Sequence, residues 1–310
     1  MKRVIYILSL FFISILIAVF FYLNQTLKVK HNYNLPSNNI QEIVRYLNSK
    51  DIPTNFIDKL ILSYLKPKRG WVYVNKTEIK RYKFLIAISR ERNRYKKFTI
   101  VPGETTYFIF KNMHRELGFN INKLKRYYNK YKIYKEGNFL ANTYHIPSYF
   151  KEEEIIKLII NRSIQSYKQF AKANGIDFKD LKKYIIIASI LEKEAANRDE
   201  MPLIASVIYN RLKKSMRLQV DGALNYGKYS HTKITPLIIK DDNSTYNTYK
   251  HKGLPKEPVC NISLSALKAA IHPAKTNYLY FFKKDNKSHY FSKTFKEHRR
   301  NIEKKNKEAN

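Results

Sequence analysis

About twenty consecutive residues, Val4–Leu23, carry no charge, the length a helix needs to cross the hydrocarbon core of a bilayer. A stretch of this kind cannot be built into a water-facing surface, so it restricts everything that follows it. A cleavable signal has a shorter apolar region and a small-residue cleavage site. Phe20-Phe21-Tyr22-Leu23-Asn24 offers no such site, which favours a retained anchor over a removed leader. Tyr22 suits the membrane interface. Lys2 and Arg3 favour an inside N-terminus, although Lys28 and Lys30 lie on the other flank. With so short a tail before the span, the simplest arrangement leaves the remaining chain outside.

The 310 residues suffice for roughly two domains plus the anchor. Lys and Arg total 59 against 25 Asp and Glu, a net charge of +34. That permits an anionic partner without proving one, since part of the Lys, Asn, Ile and Tyr excess is a general compositional bias. Cys260 is the single cysteine, which excludes an intramolecular disulfide and a cysteine-based metal site. The eight histidines are scattered, with no helical His-x-x-x-His pair, so neither a metal nor a cofactor is expected.

Organisation follows from periodicity. Pro36-Ser37-Asn38-Asn39 opens a helix whose Ile40, Ile43, Val44 and Leu47 share one face. A second helix is expected over Phe56–Leu65, a strand over Gly70–Val74 and a helix over Thr77–Ile88 with Thr77 as N-cap. Phe98–Val101 reads as a strand, with helices near Thr106–Leu117 and Ile121–Tyr131. The succession suggests a weak repeat of small βααβ modules, for which glycan binding and a purely structural role are both open. Lys151–Asn174 and Leu181–Ala196 are the next helices, with Asp177 capping the turn between them. Met201–Lys214 follows, with Asp199 as N-cap. Polar-aromatic loops then run to a short helix at Ser263–Ile271. Tyr278–Phe282 and His289–Ser292 form a hairpin across Lys284–Ser288, and Arg299–Asn310 is a charged tail.

The stretch of most chemical interest is Ile185–Arg198. Ile185, Ala188, Glu192, Ala195 and Ala196 lie on one helical stripe. A carboxylate on such a face is paired, or holds a raised pKa, or faces a cleft. A boundary salt bridge is the plain reading of Glu192; Glu194 points elsewhere and is expected in solvent. Downstream, Gln219, Asp221, Asn225 and Asn247, with Tyr226, Tyr246 and Tyr249, combine planar polar groups with aromatic faces. That composition suits sugars, or stacking on nucleic acid. No Gly-x-Ser-x-Gly and no phosphate loop occurs. A Cys260 pair with His251 or His272 is conceivable, but a small buried cysteine accounts for the residue more simply. Glycosidases use two carboxyls; one suffices where the substrate carries its own nucleophile, provided its pKa is raised.

Seven motifs then occur in order: Ala188-Ser189-Ile190-Leu191-Glu192-Lys193-Glu194, Asn210-Arg211-Leu212, Leu218-Gln219-Val220-Asp221, Tyr246-Asn247-Thr248-Tyr249, Gly253-Leu254-Pro255, His272-Pro273-Ala274 and Tyr278-Leu279-Tyr280-Phe281. Together they resemble the membrane-anchored endolytic murein transglycosylases of the YceG-like family, over about Glu136–His298. The resemblance implies an α+β protein: an anchor (residues 1–27), a LysM-like βααβ region (28–135), a catalytic domain (136–300) and a charged tail (301–310). It implies a lyase that cuts the MurNAc–GlcNAc bond of nascent peptidoglycan strands and leaves 1,6-anhydroMurNAc ends. It places the chain in the bacterial inner membrane as a single-pass protein with its catalytic domain extracytoplasmic. Partners would be glycan strands and penicillin-binding synthases, without nucleic acid. An inactive glycan-binding scaffold is the alternative.

The family's catalytic glutamate matches Glu192, with Glu194 in a supporting or structural role. Ser189, Glu194, Gln219, Asp221, Tyr226, Asn247 and Tyr249 are expected around the substrate. Departures fall at Gly137–Tyr144, Leu254–Val259 and Cys260–Ser263, where prolines and glycines usual in the family are replaced. A loop course of its own is expected there.

Overall fold

The computed structural model describes residues 2–30, 32–74, 76–90, 95–285 and 287–308. It is a mixed α+β structure. The chain divides into two compact units: Met1–Tyr95 with Pro147–Tyr149, and Lys96–Ile146 with Phe150–Asn310. The sequence pattern suggests a division near residue 135. By compactness it falls at 95, because Phe98, Phe110 and Tyr128 share one core with Phe139, Tyr144 and Ile156.

The first unit starts with helix α1 (Lys2–Asn24), which has no buried residue and is long and apolar enough to cross a membrane. Strands β1 (Thr26–Lys28) and β2 (Asn32–Leu35) follow, then α2 (Ile40–Asn48), α3 (Phe56–Leu65), β3 (Gly70–Tyr73), β4 (Glu78–Lys80) and α4 (Arg81–Arg90). Strands β2 and β3 pair antiparallel, Asn32 opposite Tyr73 and Leu35 opposite Gly70, so residues 32–73 form a βααβ arrangement. Alternation puts Tyr33 and Leu35 inward. Ile43, Val44 and Leu47 of α2 meet them, together with Leu62 and Phe84. Asn39 caps α2 by accepting from Gln41 N, and Asn55 and Asp58 close a capping box at α3. The helix expected from Thr77 begins only at Arg81. Residues 78–80 are instead drawn into a strand against β1, Leu27 opposite Ile79, with Val29 N donating to Thr77 O.

The second unit contains β5 (Tyr95–Thr99), α5 (Thr106–Leu117), α6 (Ile121–Tyr131) and β6 (Thr143–Pro147), with β5 beside β6. Then come α7 (Glu152–Ala173), α8 (Leu181–Glu194), α9 (Met201–Lys213), α10 (Pro236–Asp241), α11 (Leu264–Ile271), β7 (Tyr280–Lys283), β8 (His289–Ser292) and α12 (Phe295–Glu308). The hairpin β7–β8 pairs Phe281 with Phe291. Of its predicted turn, Asn286 lies outside the described residues, as do the last two residues of the tail.

Helix α8 is the centre of this unit. Every residue from Ile185 to Leu191 is buried, so the helix is enclosed on all sides rather than amphipathic. Helices α9 and α11 pack on it, bringing Ile204, Ile208, Ala266 and Leu267 into the same core. It ends at Glu194, two residues earlier than the pattern suggests, where Ala195 turns extended. Asp199 does not cap α9. Asn197 Oδ1 accepts from Asp199 N and Glu200 N, while the Glu200 carboxylate receives His289 N and ring Nδ1 at 2.7 and 2.8 Å. Asn210 Nδ2 donates to Thr276 O and Tyr278 O, and buried Arg211 donates to Leu279 O and Leu218 O. The Asn-Arg motif therefore ties α9 to two later segments, at Leu218 and at 276–279.

Glu136 joins α5 to the chain before α11. It is buried, and its Oε2 accepts from Thr106 N at 3.0 Å, Thr106 Oγ1 at 2.5 Å and Asn261 Nδ2 at 3.3 Å. Burial pushes this carboxyl up to about 7, with the Thr106 hydrogen bonds opposing. A folded-state pKa above the unfolded value means the folded form binds more protons between the two. The Glu136 contribution is therefore fully present below the unfolded pKa and is lost as pH rises to about 7. The isosteric Glu136→Gln keeps one acceptor oxygen, which can face Thr106 and Asn261. We expect it to flatten the fall in stability between about pH 4.5 and 7, measured by denaturant midpoints across that range. An unchanged pH dependence would exclude this origin.

Candidate active site

The last turn of α8 carries Glu192, Lys193 and Glu194. Successive residues of a helix point about 100° apart, so the three diverge, and each meets a different segment.

Glu192 turns toward the start of α11. Its Oε1 accepts from Ser263 N at 2.8 Å and from Ser263 Oγ at 2.6 Å. Ser263 is also the N-cap of α11, accepting from Ala266 N at 3.1 Å. The other oxygen, Oε2, has no hydrogen-bond partner among the described residues. Burial raises the Glu192 pKa; the Ser263 hydroxyl and N–H, then the Arg198 charge, pull it back. Gly103, at φ +80°, lies against the same turn: a Cβ there would come within 3.2 Å of Glu192 O.

Lys193 Nζ donates to Ser230 Oγ at 2.6 Å. Ser230 Oγ donates in turn to Glu104 Oε1 at 3.3 Å, and Glu104 Oε2 meets His231 Nε2 at 3.1 Å. The His231 ring stacks on Phe108 of α5 at 4.1 Å between centroids. The loop through Ser230 is thus fastened to both α8 and α5.

Glu194 is not in solvent, contrary to expectation. Its Oε1 accepts from Gly222 N at 2.5 Å, and burial, aided by the Asp221 charge, pushes it up to about 7. It is half-buried as a whole residue, but its carboxyl is enclosed by the 3-10 turn Asp221–Leu224. That turn fits because residue 222 is glycine. A Cβ there would stand 2.6 Å from Lys193 Cβ and 2.8 Å from Glu194 Oε1.

The other predicted residues fall into two groups. Ser189 and Asn247 are wholly buried. The Ser189 hydroxyl donates to Ile186 O and accepts from Val259 N. Asn247 donates to Ile239 O and Asp242 O and accepts from Tyr249 N. Both side chains are committed to holding backbone. Gln219, Asp221, Tyr226 and Tyr249 reach solvent at least in part. Gln219 takes a left-handed φ of +49° and its N–H donates to Thr248 O. Tyr249 donates to Asp221 Oδ1 at 2.6 Å. Tyr226 donates to Asp242 Oδ2 and stacks on Tyr246 at 4.4 Å. With Leu224, Tyr229, Leu237 and Ile238 it lines a groove of about 410 Å³.

Cys260 is buried and donates to Ser189 O; burial raises its thiol pKa far above the usual range. His251 and His272 bond to Asn243 O and Asn174 Oδ1 instead. Sequence reasoning missed Gly103, Glu104, Ser230 and His231, and took Ser263 only as a helix start. The capping signal at Ser263 was visible; its second task, holding Glu192, depends on α8 and α11 meeting.

The site therefore offers two carboxyls with raised pKa values, of which Glu194 is enclosed by the 221–224 turn while Glu192, with one oxygen fixed and the other free, fits general acid–base chemistry on a single residue. A YceG-like family model matches residues 35–304, and the chain belongs to that family. It is 41% identical over 155 residues to a Bacillus subtilis (strain 168) protein named endolytic murein transglycosylase, covering 49% of this chain and 42% of that one. A Streptococcus pneumoniae (strain D39) protein of the same name is 31% identical over 176 residues, or 54% of this chain and 31% of that one. The chain thus spans less than half the length of these curated relatives. A crystal structure of a YceG-like protein from Listeria monocytogenes matches 89% of this chain and 98% of that one. Its TM-score is 0.56 at 24% identity, a likeness of fold.

Two measurements check the geometry. Ser263→Ala removes a hydrogen bond that favours ionised Glu192, so the pH range in which Glu192 stays protonated should extend upward, read by carboxyl-resolved NMR titration. A pH midpoint that fails to rise would refute the contact. Gly222→Ala should lower stability by about 1–3 kcal/mol through overpacking against α8, seen as a lower denaturation midpoint; a stability equal to wild type would rule out the close approach.

Proposed function

We propose that the chain is an endolytic murein transglycosylase, a lyase acting on peptidoglycan, as its relatives' names suggest. The observation that carries this reading is the Glu192 carboxyl. Ser263 holds its Oε1, its Oε2 has no hydrogen-bond partner among the described residues, and its carboxyl, unlike that of Glu194, is not fully enclosed. A single such carboxyl suffices where the substrate carries its own nucleophile.

In this mechanism protonated Glu192 gives its Oε2 proton to the oxygen linking MurNAc C1 to GlcNAc, and that bond breaks with the electron pair on the departing oxygen. The carboxylate then accepts the proton of the muramyl C6 hydroxyl. The C6 oxygen closes on C1 to form the 1,6-anhydro ring. The proton count balances on one residue and no water is consumed. A pKa raised by burial keeps the acid form available, and the Ser263 donors keep the carboxylate form accessible for the second half.

Gln219, Asp221, Tyr226 and Tyr249 are proposed as glycan contacts, the tyrosines lying under sugar faces. Ser189, Asn247 and Glu194 position the backbone around them. Helix α1 is proposed to cross the inner membrane once and leave the rest extracytoplasmic. The βααβ arrangement of residues 32–73 is proposed as a LysM-like glycan contact, and wall-building synthases as partners that supply nascent strands.

Glu192→Gln should fold normally and lose anhydro-ended products by about 10²–10⁴-fold, measured by mass spectrometry of digests of uncrosslinked glycan. Full activity in that variant would sink the assignment. Loss of fold would be seen first by circular dichroism.

A further inference from the structure

Helix α1 does not lead into the first unit through a loose linker. Tyr22, in its last turn, donates its hydroxyl to Asp58 Oδ2. Asp58 is completely buried in α3 and also accepts from Arg81 Nη1 at 3.0 Å and Asn55 N at 2.9 Å. The Arg81 guanidinium lies 4.3 Å from the centroid of the Tyr22 ring and donates to Pro53 O. Arg81 N donates to Gln25 O, and β1, directly after α1, pairs with β4. A buried ion pair, a tyrosine and a strand pairing thus fasten the helix to α3 and α4. A membrane crossed by α1 would meet the first unit in a fixed orientation.

What lies next to this junction is apolar and uncovered. Phe56, Leu60 and Tyr64 follow one another at intervals of four on α3, and are 75%, 61% and 86% exposed. Beside them a groove of about 450 Å³ runs between α3 and α4, lined by Leu60, Ile61, Tyr64, Leu65, Tyr82 and Ile86. A contiguous apolar surface of this kind marks an interaction site. The exposed charges of α3 and α4 and of the residue after α3 are Lys59, Lys66, Lys83 and Arg90, all basic; Asp58, the one acid of α3 and α4, is buried. Apolar and aromatic side chains flanked by lysines, on helices fastened to the end of the span, match the headgroup region of an anionic bilayer.

We propose that the α3–α4 face is a second membrane contact, which seats the first unit on the surface of the bilayer that α1 crosses. This rests on the reading of α1 as the anchor. The test uses the whole chain with its single tryptophan removed and another placed on the face, Trp71→Phe with Leu60→Trp. It is reconstituted into vesicles of mixed zwitterionic and anionic phospholipid. Alkaline carbonate flotation comes first: a chain stripped from the vesicles overturns the anchor reading and the seating with it. In retained chain the emission should be blue-shifted, quenched by lipids brominated close to the headgroup, and shielded from aqueous iodide. Adding Phe56→Ser and Tyr64→Ser should reduce the bromolipid quenching while flotation is unchanged. A tryptophan open to iodide and untouched by bromolipid overturns the proposal. One shielded from both, with crosslinking that rises with protein-to-lipid ratio, overturns it in favour of a second copy of the chain.

Discussion

Enclosure of α8 is the constraint on which the second unit depends. A helix buried on every face from Ile185 to Leu191 has no solvent side on which to place a charge. Polarity can begin only where the helix emerges, and it begins at once, with Glu192, Lys193 and Glu194. Each then stands at the edge of a low-dielectric core, where an ionised carboxyl is penalised and a hydrogen bond is strengthened. The raised pKa values of Glu192 and Glu194 share that cause. Their partners differ because the helix turns about 100° per residue: Ser263 for one and Gly222 for the other, with Ser230 for the lysine between. Three consecutive side chains organise three loops around one helix end.

Several polar residues of the motif set serve that scaffold. Ser189 supports Val259, Asn247 gathers the 239–249 loop, and Asn210 and Arg211 hold the chain near Tyr278 and Leu218. Buried polar groups must be satisfied, so these side chains and their backbone partners have little freedom to serve a ligand. Among the described residues Glu192 and Glu194 each keep one carboxylate oxygen without a hydrogen-bond partner. The Glu194 carboxyl is enclosed by the Asp221–Leu224 turn, whereas that of Glu192 is less deeply buried, which is why Glu192 is the one proposed for acid–base chemistry.

The first unit applies the same physics to a different end. Asp58 and Arg81 are buried together, an arrangement that contributes little net stability but is costly to break. Its effect is orientation: it holds Tyr22, and with it the base of α1, against α3 and α4.

Much was legible from the chain alone. The apolar run of α1, the faces of α2, α7 and α9, the hairpin β7–β8 and the candidate Glu192 follow from local periodicity and an ordered set of motifs. Local pattern failed where a distant partner decides. Residues 78–80 form a strand because β1 is there to pair with them, and Asp199 does not cap because Met201 N is taken by Arg198 O and Pro202 has no N–H to offer. Glu194 was expected in solvent because helical spacing says which way a side chain points and not what is packed there. The Asp221–Leu224 turn covers it, and can do so only because glycine 222 admits a contact that a Cβ would block. The sequence by itself singled out Glu192 as a candidate, through the ordered motifs rather than through its helical stripe. Tertiary structure decided the direction of its pKa shift, because pKa depends on burial and on donors such as Ser263 that lie far away in sequence.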